Sequence, residues 1–325
     1  MSQYDVVVIG AGAAGLSAAL VLSRARRKVL VLDGGEPRNA PAAHLHGYLS
    51  RDGLAPAELL AVGRTEVRGY GGDVVDGTVA DLVPDGRNGF WVLLAGGQRI
   101  SGRRLLLATG LRDELPDIPG LRERWARDVL HCPYCHGYEV RDRQVGVLGG
   151  TPGAVRYAHI VRQWTHDLVY FTPPDLLTTT ERTQLLARAI GVVEGTIEGL
   201  VLDDNADQLS GVQLQDGCVI PREALFVPPR LVPNSGLLDQ LGAEVDQDGW
   251  VTTDAAGLTS VAGVWAAGNV VDPRAQVVTA AGAGSASAIA LNADLVEEDV
   301  RQTVRDLGHG LLPRPIAAVN SKESA

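Results

Sequence analysis

Cysteine is scarce in this chain of 325 residues: there are three, and two of them, Cys132 and Cys135, share a single CxxC. So few exclude a disulfide-stapled scaffold. No stretch approaches the roughly 18 to 20 consecutive apolar residues of a membrane span. The first apolar run, YDVVVIG at residues 4 to 10, lacks a basic flank and ends in glycine, so it does not read as a secretory signal. Positive charge is in deficit, with 29 Lys and Arg against 39 Asp and Glu and a formal charge of −10. That argues against nucleic acid or an anionic membrane as the main partner; otherwise it serves solubility. Low-complexity tracts are also missing, so the 39 glycines and 17 prolines are read as tight βα turns. A cytoplasmic protein is expected.

What is present is a large apolar fraction, 45 %, in a chain long enough for about two domains. Residues 4 to 33 read as strand (VVVIG), glycine turn, helix (AAGLSAALVLSRA) and strand (KVLVLD). A similar unit recurs at 144 to 171 as QVGVLGG, PGAVRYAHIVRQWT and DLVYF. Two such openings predict an α/β protein of two Rossmann-like three-layer nucleotide-binding domains, the second inserted in the first. The first domain is expected over 1–115 and 245–315, the second over 116–244, and a flexible tail over 316–325. The segments LRDELPDIPG (111–120) and PPRLVPNSG (228–236) lie at the crossings.

The first glycine turn is Gly10-Ala11-Gly12-Ala13-Ala14-Gly15. Between a strand and a helix, Gly10 permits the tight turn, Gly12 lets backbone amides approach a pyrophosphate, and Gly15 lets the helix pack on the strand. The helix N-terminus favours the diphosphate, and Asp33, ending the second strand, suits a ribose hydroxyl. The CxxC suits thiol–disulfide exchange, since its surroundings can lower one thiol pKa. A zinc site would need a matching CxxC or CxxH, and the only other cysteine is Cys218, so no metal is expected. Cys218 itself, in QDGCVI, is expected to be a buried, inert thiol. Imidazole titrates near neutrality, so His136 can accept a proton from a thiol, or else serves as a cap or surface residue. His131 receives no role. Tyr134 and Tyr138 either line an apolar pocket at the dithiol or pack structurally.

LLLATG at 105–110, TSVAGVWAAGNVVD at 259–272 followed by AQVVTAAGAG, and a CxxC between two Rossmann units together resemble the low-molecular-weight thioredoxin reductases. The resemblance covers nearly the whole chain. It implies a homodimer with FAD held by the first domain. Within that domain it implies that Gly10 to Gly15 and Asp33 bind the dinucleotide and that Ala108, Thr109 and Gly110 pack near the flavin. Gly268 and Asn269 would contact the ribityl-phosphate region, and Gln276 and Val277 at the start of the last helix would face the isoalloxazine, with the helix dipole favouring negative charge there. Asn269 departs from the family's usual Asp. The resemblance also makes Cys135 the flavin-side sulfur and Cys132 the outer one.

The second glycine turn is degraded. Thr151 replaces the middle glycine of Gly149-Gly150-Thr151-Pro152-Gly153-Ala154, and Pro152 removes an amide donor. Thr172 stands where the first unit has its acid, and FTPPDLLTTTE supplies no arginine before Arg182. A 2′-phosphate without such a clamp forfeits bonds of roughly 1.5–3 kcal/mol each. With His44 and His46 in EPRNAPAAHLHGYLSRDG (36–53) and CPYCHGYE at the dithiol, these features resemble the thioredoxin-reductase-like dithiol oxidases that close the disulfides of natural products such as gliotoxin or holomycin. The resemblance implies FAD-dependent oxidation of a small-molecule dithiol, with Cys132, Cys135 and His136 catalytic and O2 as acceptor, giving H2O2. Two alternatives stand beside it: a disulfide reductase fed by NAD(P)H or ferredoxin, and a non-enzymatic flavin redox sensor.

Overall fold

The structure is a computed structural model and describes residues 3–203 and 207–308; the tail expected at 316–325 lies outside the described residues. In chain order the elements are β1 (Tyr4–Ile9), α1 (Ala13–Arg24), β2 (Val29–Asp33), α2 (Pro56–Gly69), β3 (Asp73–Asp76), β4 (Val79–Pro84), β5 (Phe90–Leu94), β6 (Arg99–Leu107) and β7 (Leu111–Glu114). There follow β8 (Val129–Leu130), α3 (Pro133–His136), β9 (Val145–Leu148), α4 (Ala154–Val161), β10 (Leu168–Thr172), α5 (Thr179–Ala187), β11 (Gly191–Glu194), β12 (Ile197–Asp203), β13 (Gln208–Leu214), β14 (Val219–Pro221) and β15 (Ala224–Phe226). The chain ends with β16 (Arg230–Pro233), α6 (Gly236–Gln240), β17 (Val264–Ala266) and α7 (Val277–Gly308).

Two sheets carry the α/β fold. The first runs β3-β2-β1-β6-β5-β4, with β17 also paired to β6. The second runs β11-β10-β9-β15-β8. Val6, Val7 and Val8 are all fully buried, because both faces of this parallel strand are covered. Alternation sends Val6, Val8, Val29 and Val31 to the face packed by α1 and α7. Val7, Ile9, Leu30 and Leu32 go to the opposite face, under Leu82, Phe90 and Val92 of β4 and β5. The second sheet repeats the plan, with α4 and α5 on one face and β12 and β13 on the other. Each layer therefore follows from the period-2 direction of apolar side chains.

Where the chain passes between the sheets, β7 and β16 form an antiparallel ladder that sets Arg230 opposite Glu114 and Pro233 opposite Leu111. These segments read as linkers in the sequence, yet their backbone groups pair with each other instead of with water. Cys218 is exposed, contrary to the expectation of a buried thiol. It follows the Asp216–Gly217 turn of the β13–β14 hairpin, where its N–H donates to the Asp216 carboxylate at 2.9 Å, and Asp216 pushes the thiol pKa up. Among the described residues no helix is long and apolar enough to cross a membrane.

Candidate active site

A cavity of about 940 Å³ opens at the carboxyl ends of β1 and β6 and extends to the CxxC. The first glycine turn forms one wall. A Cβ on Gly10 would lie 2.4 Å from the Ala108 carbonyl oxygen, and one on Gly15 would lie 1.9 Å from the Gly10 oxygen. Those two glycines let strand, turn and helix touch. Gly12 differs: a Cβ there would meet nothing within 4 Å, so its open side is the cavity. Ala13 and Ala14 begin α1 beside it. Gly15 alone of the expected site residues lies off the cavity lining, behind the turn.

Asp33 ends β2 and is 7 % exposed. One carboxylate oxygen accepts from the Gly35 N–H at 2.9 Å, and the other pairs with Arg64 of α2. A carboxylate has lone pairs to spare for a ribose hydroxyl. Across the cavity, the Thr109 hydroxyl donates to the Asn234 carbonyl at 2.7 Å, while the Asn234 amide donates back to the Thr109 carbonyl at 3.0 Å. Together they pin the Ala108–Thr109–Gly110 segment. Asn269 uses its amide nitrogen to donate to the carbonyls of Asp272 (2.9 Å) and Ala275 (3.1 Å). A carboxylate has no donors for these bonds, so the departure from Asp braces the loop from Gly268 to Gln276 and leaves the Asn269 carbonyl free to accept. The open face at Gly12, the acid at Asp33 and the cavity at the head of α1 fit a flavin dinucleotide. Arg64 and Asn234 carry no sequence signal, because each meets its partner only across the tertiary fold.

Cys132 and Cys135 form a disulfide with their Cα atoms 5.2 Å apart, at the start of the short helix α3. Gln276 spans the pair: its amide nitrogen lies 3.5 Å from Cys132 Sγ and its amide oxygen 3.2 Å from Cys135 Sγ. A disulfide sulfur has no proton to give, so the second is a contact that becomes a hydrogen bond once Cys135 carries a thiol. His136 is half-buried, and desolvation lowers its pKa, opposed by Glu139 and reinforced by His46. His131 is pushed down to about 4, first by burial and then by the Arg38 guanidinium, and its Nδ1 is buried without a partner. Tyr134 packs edge-on against Trp164 at 5.5 Å and lines the cavity. Tyr138 is exposed and lies under Arg141, outside the lining. His46 reaches Glu139, four residues after Cys135, at 3.5 Å, whereas His44 bonds the Gly53 carbonyl of its own loop. Among the described residues no group of three or more His, Cys, Asp or Glu is placed to hold a metal ion.

The second glycine turn can be compared with the first by register. Ile9 pairs with Leu32 and Leu148 with Phe171. The Gly10 N–H donates to the Leu32 carbonyl at 2.8 Å and the Gly149 N–H to the Phe171 carbonyl at 2.7 Å. Thr172 is therefore the counterpart of Asp33, and its hydroxyl is buried with no partner among the described residues. The connection is longer, running from Gly149 to Gly153 before α4, where Gly10 to Gly12 suffice before α1. The Tyr170 side chain is packed against this turn, so that a Cβ on Gly149 would stand 2.5 Å from its hydroxyl. Arg182 is paired with Glu194. A cavity of about 900 Å³ remains beside this turn, with Arg156 and Arg188 on its lining.

The family model described as pyridine nucleotide-disulphide oxidoreductase matches residues 4–284. Thioredoxin reductase sirT of Leptosphaeria maculans is 32 % identical over 315 residues, 92 % of this chain and 96 % of that one. Thioredoxin reductase tcpT of Claviceps purpurea is 32 % identical, covering 82 % of this chain and 86 % of its own. The crystal structure of HlmI superposes with a TM-score of 0.92 at 56 % identity, covering 95 % of this chain and 98 % of that one.

Proposed function

The chain belongs to the pyridine nucleotide-disulphide oxidoreductase family, in its thioredoxin reductase-like branch, and from that premise we propose that it is an FAD-dependent dithiol oxidase acting on a small natural-product dithiol. The observation that carries the reading is the contrast between the two glycine turns. The first keeps its open backbone and its acid. The second, at equivalent register, has Thr151, Pro152, the Tyr170 side chain packed against Gly149 and an uncharged Thr172. A chain that keeps its flavin cradle and loses its nicotinamide cradle receives electrons through sulfur.

In this mechanism Gly10, Gly12, Ala13, Ala14 and Asp33 would hold the dinucleotide, with Ala108 to Gly110, Gly268, Asn269, Gln276 and Val277 on the same lining. When bound, FAD supplies a two-electron acceptor for the reduced cysteine pair, with O2 as terminal oxidant and H2O2 as its product. The His136 imidazole accepts the proton of a substrate thiol; its depressed pKa keeps it in the neutral, accepting form at pH 7. The substrate sulfur attacks Cys132 Sγ, and Cys135 leaves as thiolate, to which the Gln276 amide is adjacent. The second substrate thiol then attacks the mixed disulfide at the substrate's own sulfur. Cys132 leaves, and the product departs as an intramolecular disulfide with two electrons left on the pair. The Trp125 and Tyr157 side chains give the lining an aromatic wall at this end.

The thioredoxin reductase names of sirT and tcpT, and HlmI, support the chemical class. A homodimer is part of the proposal. Ile289, Val296, Val300 and Val304, 47–62 % exposed in one chain, form an apolar stripe on α7 suited to a second copy; light scattering would read the mass. One observation favours the reductase alternative: the cavity at the second turn retains Arg156 and Arg188. Anaerobic titration separates the two. Dithiothreitol is expected to bleach the flavin and air to restore it with peroxide release, while one equivalent of NADPH leaves the colour unchanged. Bleaching by NADPH within seconds would refute the oxidase.

A further inference from the structure

Gln276 is set before the dithiol by backbone bonds on both sides of it. Its carbonyl accepts from the Ala280 N–H at 2.8 Å, so it stands at the head of α7, which begins at Val277. Ahead of it, Asn269 donates to the Asp272 carbonyl at 2.9 Å and to the Ala275 carbonyl at 3.1 Å. The Arg274 N–H donates to the Asp272 carboxylate at 2.9 Å. The backbone that carries the Gln276 side chain is thereby held from both directions.

The side chain ends in a flat group with one acceptor oxygen and an NH2 that donates twice, and this group lies across both sulfurs. Its Oε1 is 3.2 Å from Cys135 Sγ and its Nε2 is 3.5 Å from Cys132 Sγ. Among the described residues no other side chain makes a hydrogen-bond contact with either sulfur. In the closed disulfide neither sulfur needs a donor. Opening the bond changes that, because a thiolate in a cavity is an anion and is costly there without a donor. Half a turn about the last side-chain bond exchanges the two ends of the amide. It brings Nε2 to the place of Oε1, within donor reach of Cys135 Sγ. One group then serves both protonation states: its oxygen accepts from a thiol, and its nitrogen donates to a thiolate.

We infer that Gln276 is a catalytic residue, a two-ended carboxamide that turns its N–H to Cys135 Sγ and stabilises the charge there as the Cys132–Cys135 bond opens. The inference rests on the proposed oxidation of a dithiol and adds to it the group that assists the leaving sulfur. In that step the substrate sulfur forms a bond to Cys132 Sγ and the Cys132–Cys135 bond breaks. The electron pair stays on Cys135 Sγ, and the proton of the substrate thiol has passed to the base. A hydrogen bond to the charged form favours the thiolate and makes it a better leaving group. Bonds of this charge-assisted kind are roughly twice as strong as neutral ones.

The test reads Cys135 by itself. The chain has three cysteines, so FAD-loaded protein carrying Cys132→Ser and Cys218→Ala keeps Cys135 as its sole thiol. Its rate of alkylation by iodoacetamide, followed against pH, gives the midpoint at which the thiolate forms. Gln276→Met keeps the length and loses both polar ends. It is expected to raise that midpoint by about half to one pH unit, and Gln276→Glu, which sets a carboxylate against the thiolate, by about one to two units. His131, Tyr134, His136, Tyr157, Arg274 and the Arg38–Asp113 pair share the lining and are the same in all three proteins, so the order Gln, Met, Glu belongs to the one side chain. Flavin absorbance checks that each variant is loaded. With the cysteines restored, turnover of dithiothreitol in oxygen is expected to fall about three- to tenfold in Gln276→Met and further in Gln276→Glu. A packing role would leave the midpoints equal. If they superimpose while the parent turns over dithiothreitol, the oxidase reading stands and this inference falls. If the midpoints move and turnover does not, the amide touches the thiolate without serving the reaction, and the catalytic assignment falls. If the parent turns over no dithiothreitol, the oxidase reading falls and takes this inference with it.

Discussion

Gly12→Ala separates cofactor binding from folding. Gly12 has φ −76°, a conformation alanine adopts without strain, and the added methyl meets no protein atom within 4 Å. Removing a glycine from the unfolded chain favours folding by about 0.4–1 kcal/mol. Alanine is a poorer N-cap than glycine by about the same amount. The two terms offset each other, so the apo-protein is expected to melt within a few degrees of the parent. The methyl instead enters the space through which the diphosphate would reach the backbone. Losing one charge-assisted N–H bond, worth about 1.5–3 kcal/mol, weakens FAD by about 10- to 150-fold. Gly15→Ala is the control with the opposite signature. Its Cβ would sit 1.9 Å from the Gly10 carbonyl oxygen, which drives α1 off β1 and lowers the melt of the apo-protein itself. The assay is FAD fluorescence quenching on apo-protein, with thermal melts of the same samples. Parental FAD affinity in Gly12→Ala would refute the placement of the cradle; a collapsed melt would refute the claim that the methyl meets no protein atom.

Cys132→Ser and Cys135→Ser each break the disulfide and are expected to abolish dithiol turnover while leaving the flavin spectrum in place; measurable turnover in either would remove the pair from the mechanism. His131 sets an acid limit on stability. Folding lowers its pKa from 6.5 to about 4, so the unfolded chain takes the proton first, and the stability present above pH 6.5 is lost as pH falls toward 4. That loss is roughly 2–3 kcal/mol, and His131→Gln should flatten the urea midpoint between pH 7 and pH 4.5; an unchanged slope would place the acid sensitivity elsewhere. Asn269→Asp replaces two donated bonds with a carboxylate facing two carbonyls. It is expected to cost about 2–3 kcal/mol and to loosen FAD, although it restores the residue usual in the family; tighter FAD binding would contradict the bracing role.

The parts of the fold legible in the sequence were those written in short-range pattern. Val6–Val8 announce a two-sided parallel strand, and the Gly10–Gly15 turn announces its helix. The offset that carries Gly10 to Asp33 carries Gly149 to Thr172, because both pairs of strands share one register. What escaped was decided at long range. Arg64 finds Asp33 through the packing of α2 against α1, and Tyr170 of β10 comes against the turn at Gly149. Neither pairing leaves a mark in the local sequence. The crossings at 111–120 and 228–236 read as linkers because each alone is a short, proline-containing segment; only together are they a ladder. Cys218 misled because apolar neighbours suggest burial, whereas Val219 beside it is itself exposed on the outer hairpin.

The opposed pair Glu114–Arg230 has a use for protein engineering. Everything from 115 to 229 departs and returns at neighbouring backbone positions, whose Cα atoms across such a ladder lie about 5 Å apart. A two-residue turn such as Asn-Gly would span that doorway, so the intervening stretch is a cassette. Its removal is expected to leave every strand of the first sheet on its present route, because none of them lies in that stretch.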